Sequence, residues 1–74
     1  MPKLPVISGK EFARVLVKIG FEIRNQTGSH IILKRERDGL RVSVPNHAEL
    51  DRGTLLGLMR DVKLSRSDLE RLLG

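Results

Sequence analysis

Two histidines are the side chains here best suited to moving a proton near neutral pH. His30 follows Thr27, Gly28 and Ser29 and opens the run HIILKR, and His47 lies in VPNHAEL. An imidazole can activate a hydroxyl as a base or protonate a leaving oxygen as an acid. Cleavage of RNA needs those two duties and cations to meet the phosphate. Arg24 and Lys34 could hold a phosphate, and Thr27, Gly28 and Ser29 could offer hydroxyls and backbone N–H groups beside the ring. The plainer reading makes His30 a polar residue at the start of a hairpin strand. Local pattern alone favours that reading, because Gly-Ser-His is a short motif. His47 likewise reads as a loop residue bonded to backbone, or as a helper in contacting RNA.

Other chemistries find little support. The histidines stand 17 residues apart and the chain has no cysteine, which matches no zinc spacing. Asp51, Asp61 and Asp68 sit where helix caps or surface pairs belong. Neither a phosphate-binding loop nor a dinucleotide fingerprint occurs. The serines lack the setting of a catalytic nucleophile and read as caps or turn residues. The expectation is chemistry with no metal and no cofactor.

The elements that must position these groups follow from the patterning. Ser8-Gly9-Lys10-Glu11 fits a capping box. Phe12, Val15, Leu16 and Ile19 follow at helical spacing, and Gly20 can end the helix left-handed, so a helix is expected from about Gly9 to Ile19. FEIRNQ alternates as a first strand, and Thr27-Gly28 marks a turn. SHIILKRE reads as a second strand, Asp38-Gly39 as a hairpin turn, and LRVSV as a third strand stopped by Pro45. Asn46 to Leu50 reads as a loop. Asp51 can cap a second helix with Leu55, Leu58, Met59 and Val62 on one face. Ser65 to Asp68 suggests another cap, before a short third helix carrying Leu69, Leu72 and Leu73, packed on the sheet or frayed at its end.

The expected fold class is α+β, a single small domain over residues 1–74 in the order α-β-β-β-α-α. A three-stranded antiparallel sheet would carry the helices on one face and leave the other open. Strand alternation sends Phe21, Ile23, Ile31, Leu33, Leu40, Val42 and Val44 toward the helices. It sends Glu22, Arg24, Gln26, His30, Ile32, Lys34, Arg41 and Ser43 to the open face, with His30 close to Arg24, Lys34 and Arg41.

Composition constrains the partner. Fourteen Lys and Arg against nine Asp and Glu leave a net charge of +5 over 74 residues. That favours a polyanion, RNA or DNA first, and the basic residues do not gather on one amphipathic helix as a membrane binder's would. The chain has two Phe and no Trp or Tyr, so base stacking has little to stand on and contacts should fall on phosphates, sugars and shape. No leader or membrane-spanning stretch is visible, and without disulfides the cytoplasm is the expected location.

Taken in order, KLPVISGKE, GFEIRNQTGSHIIL and VSVPNHAELDRGTLLGLMRDVKLS resemble segments of the HicA-type toxins, small mRNA interferases of toxin–antitoxin pairs. The resemblance implies a fold like the double-stranded-RNA-binding domain, metal-independent endoribonuclease activity on mRNA, and a HicB-type antitoxin as partner. It also implies a catalytic role for His30, with Gly28 and Ser29 completing the motif and His47 matching the Val-Pro-x-His segment. RNA contacts are expected at Arg24, Thr27, Gly28, Ser29, Lys34, Arg41 and His47. Lys63 departs from the family pattern, which often has Gly there to end the second helix. Two other readings stay open: an RNA-binding module that does not cleave, and an interaction domain whose basic face meets an acidic protein.

Overall fold

The computed structural model describes residues 4–74; Lys3, at the head of KLPVISGKE, lies outside them. Six elements follow in the expected order: α1 Gly9–Lys18, β1 Glu22–Gln26, β2 His30–Arg35, β3 Leu40–Pro45, α2 Arg52–Asp61 and α3 Arg66–Leu73. The strands form one antiparallel sheet in the order β1-β2-β3. α1 lies across all three strands and α2 meets β3, while α3 packs on α1 and not on the sheet.

Each helix starts where a side chain satisfies a free backbone N–H. At α1 the Glu11 N–H donates to Ser8 Oγ and the Ser8 N–H donates to Glu11 Oε1, both at 3.0 Å. Asp51 accepts from the Thr54 N–H at 3.2 Å, and Ser65 accepts from the Asp68 N–H at 3.1 Å. α1 and α2 both end in the same paired arrangement. Gly20 N–H donates to Val17 O and Phe21 N–H to Leu16 O; Lys63 N–H donates to Arg60 O and Leu64 N–H to Met59 O. Both motifs need a left-handed residue, supplied by Gly20 at φ +102° and by Lys63 at φ +57°.

The core lies between the helices and the inner sheet face. Phe12, Val15, Leu16, Phe21, Ile31, Leu33, Val44, Leu55 and Leu69 are its most deeply buried side chains. No Asp, Glu, Lys, Arg or His is buried among the described residues, so ionisable chemistry is confined to the surface.

β1 departs from simple alternation. Ile23 faces Leu33, but Asn25 faces Ile32 and Gln26 faces Ile31, so one extra residue is inserted at Arg24. Gln26 therefore turns to the helix side with Ile31, not to the open face. Ile23 points toward α1 as expected yet stays 49% exposed, because β1 is an edge strand that α1 covers only in part. Leu40 is half-buried against the core. Pro45 does not stop β3 before itself; it is the last paired residue, opposite His30.

Candidate functional site

His30 is the first residue of β2 and is exposed. It shares the open face with Ile32 and Lys34, because Ile31 and Leu33 between them are buried. The turn before it is built around Thr27. Its N–H donates to the His30 carbonyl at 2.9 Å. Its hydroxyl oxygen accepts from the His30 N–H at 3.0 Å and from the Ser29 N–H at 3.3 Å. One short side chain thus fixes the backbone on both sides of the histidine.

A second brace comes from β3. The Asn46 N–H donates to the Ser29 carbonyl at 2.9 Å, and its side-chain amide reaches the Gly28 carbonyl at 3.5 Å. Sequence reasoning missed Asn46. The only signal was its position after a strand-ending proline, which does not reveal that the chain turns back onto the other hairpin.

Among the described residues the imidazole has one hydrogen-bonding neighbour: His30 Nδ1 and Ser29 Oγ are 3.1 Å apart. A hydroxyl can accept from a protonated Nδ1 or donate to a bare one. In the first state Nε2 carries a lone pair and can take a proton. In the second it carries a proton and can give one. The Ser29 hydroxyl therefore suits either duty, and Nε2 is the ring atom left to meet a substrate.

Gly28 is free of structural demand. Its φ is not positive, and a Cβ there would meet nothing within 4 Å. The space over Gly28 is open.

The structure gathers Thr27, Gly28, Ser29 and His30 but separates them from the expected cations. Lys34 lies four residues farther along β2, about 13 Å at strand rise, and pairs across the sheet with Arg41. Arg24 is drawn toward the same distant end by ion pairs to Glu36 and Glu22. The grouping of His30 with Arg24, Lys34 and Arg41 is thus corrected: the bulge and the pairing with Glu36 carry Arg24 away. Lys34 and Arg41 are like charges directly opposite each other, an arrangement that weakens a sheet and that a bound anion relieves.

His47 comes two residues after Pro45, the cross-strand neighbour of His30. Its carbonyl accepts the Gly9 N–H at 2.9 Å, which fixes the loop against the start of α1. The approach is tight: a Cβ on Gly9 would lie 2.0 Å from the Pro45 carbonyl oxygen. Its exposed side chain lies near the α2 cap. The Thr54 hydroxyl and N–H hold the Asp51 carboxyl below its ordinary pKa, and the charge of His47 adds to that effect.

Arg35 is a further residue that the pattern did not distinguish. It turns inward at the end of β2, lies over the Phe21 ring at 4.7 Å and forms a two-pronged pair with Asp38 at 2.8 and 3.2 Å. The Arg35 guanidinium holds the Asp38 carboxyl down at about 2. This pair closes the β2–β3 hairpin and belongs to the fold, at the end of the strand opposite His30.

Among the described residues no three His, Cys, Asp or Glu side chains gather as a metal site, and no helix is long and apolar enough to cross a membrane. No curated protein matches the chain. Residues 9–64, well over half of the 74, match the family model described as the HicA toxin of bacterial toxin–antitoxin pairs, and the chain belongs to that family of toxins.

Proposed function

We propose that this toxin is an endoribonuclease that cleaves mRNA by transesterification, with His30 as the proton-transfer group and a HicB-type antitoxin as the partner that restrains it. The observation that carries the reading is the exposed His30 ring, paired at Nδ1 with Ser29 and set on a turn braced from both sides. A base takes the 2′-hydroxyl proton, the 2′-oxygen attacks phosphorus, and the bond from phosphorus to the 5′-oxygen breaks. An acid protonates the departing oxygen. The products carry a 2′,3′-cyclic phosphate and a 5′-hydroxyl. With mRNA as substrate, the activity belongs in the cytoplasm.

Two proton-transfer groups are needed. His47 is the better second candidate than Lys34, because its loop continues directly from the residue opposite His30. If both histidines take part, the rate falls on either side of a pH maximum, and His47→Ala removes one flank.

The principal test pairs folding with cleavage. His30→Ala should shift stability by under about 0.5 kcal/mol, since an exposed side chain is lost. It should slow RNA cleavage by roughly 10² to 10⁴. Wild-type cleavage should persist in EDTA, and expression of the wild type, but not the variant, should arrest growth. Equal cleavage by the variant would remove His30 from the reaction, and a wild-type chain that binds RNA without cutting it would leave a binding module in place of an enzyme.

A further inference from the structure

We propose a second contact for the RNA backbone, a cationic cleft at the pole of the molecule opposite His30; the inference rests on the reading of the chain as an RNA-directed toxin. The cleft is shallow and open, about 640 Å³, where the ends of α1 and α2 meet the β2–β3 hairpin. Lys18, Arg35, Arg37 and Lys63 line it, against a single carboxylate, Asp68. That carboxylate is already held by Arg71 at 3.0 Å, and Arg35 is taken by Asp38. The ion pairs among the described residues engage Arg24, Arg35 and Arg71, and the Lys18 ammonium donates to the Leu72 carbonyl at 2.5 Å, which leaves Arg37 and Lys63 as the cleft cations without a carboxylate or carbonyl partner.

Two features distinguish this cleft from a solvated basic surface. Helix C-termini ordinarily repel anions through their unpaired carbonyls. Here the paired end bonds of both helices occupy Leu16 O, Val17 O, Met59 O and Arg60 O, and Arg35 reaches the Ile19 carbonyl. The second feature is Lys63, which holds a left-handed backbone at φ +57° where a glycine would sit without strain. A charged side chain kept at a strained position facing the cleft argues for a use. Lys34 and Arg41 lie on the open face between His30 and this pole, so a strand crossing the turn meets positive charge along β2 before reaching the cleft.

The test uses the full chain carrying His30→Ala, so that RNA is bound and not cut, with and without R37A/K63G. The probe is a labelled oligouridylate long enough to span the sheet, titrated across a salt series. The double variant should bind severalfold more weakly, with a salt slope shallower by about 1.4, near 0.7 for each lost cation. R37K/K63R should restore both. K63G relieves strain, so the melting temperature should not fall.

An unchanged slope and affinity would overturn the cleft while leaving the ribonuclease reading intact. Loss of binding to polyglutamate, with RNA binding untouched, would overturn it in favour of an acidic protein. No RNA binding by the His30→Ala parent, together with a wild-type chain that does not cleave RNA, would overturn both readings. The expected slope change, together with a wild-type chain that does not cleave RNA, would uphold the cleft and overturn the enzyme.

Discussion

At the scale of single residues, Gly28 offers a clean separation of fold from function. Its backbone is one any residue adopts and its surroundings are empty, so an added methyl costs the fold nothing. Gly28→Ala should leave the melting temperature unchanged or slightly raised, because alanine loses less freedom on folding. Cleavage should nevertheless fall if a phosphate passes over the turn. Melting and cleavage curves on one preparation check this, and full activity in the variant would remove Gly28 from the site. Thr27→Val makes the converse case. It keeps the shape but removes the oxygen that accepts from Ser29 and His30, and should lower stability by about 1 kcal/mol. The sequence made Thr27, Gly28, Ser29 and His30 legible as a group, because adjacency in a tight turn is adjacency in space. It could not show Asn46, which reaches the group only through the pairing of β2 with β3. Nor could it place Arg24, whose partners are set by an inserted residue with no sequence mark.

At the scale of elements, the two glycine-type positions at helix ends make opposite predictions. Gly9 opens α1 with its backbone against Pro45. Gly9→Ala forces a methyl into a carbonyl 2.0 Å away, and backbone cannot swing aside as a side chain can. The expected loss is roughly 3 kcal/mol, the upper part of the range for overpacking, read as a lowered denaturation midpoint. Lys63 closes α2 in a conformation that costs an L-residue about 1 to 2 kcal/mol. Lys63→Gly should recover part of that and raise the midpoint. Helix starts were readable because a capping box is a local contract between residues three apart. β2 and β3 were readable because alternation holds wherever pairing is regular. β1 was readable only up to its bulge, after which Gln26 changes sides.

At the scale of the whole molecule, acid should be the main solvent threat. Hydrogen bonds and cations lower the carboxyls of Glu11, Asp38, Asp51 and Asp68 in the folded chain. Each binds its proton less readily folded than unfolded, so the unfolded state gains protons first as pH falls. The contribution of Asp38 is complete above its ordinary 3.8 and is lost as pH drops through about 2. Melting temperature should hold steady from neutral pH down to the ordinary carboxyl values, 4.5 for Glu11 and 3.8 for the three aspartates, and then decline. Asp38→Asn should flatten part of the decline; an unaltered acid limb would show that the pair with Arg35 carries no such weight.

The contact between Gly9 and the Pro45 carbonyl has a consequence for heredity. A gene whose product harms its own cell is under constant pressure to break. If His30 carries the cleavage as proposed, chains that escape by mutation there should still be made, and should still occupy any partner that covers the folded surface. Chains that escape at Gly9 have damage at the joint between α1 and the His47 loop, and should be cleared as misfolded protein. Sequencing the survivors of toxin expression should therefore reveal two populations. One accumulates silent protein, and the other, with Gly9 replaced even by alanine, accumulates almost none.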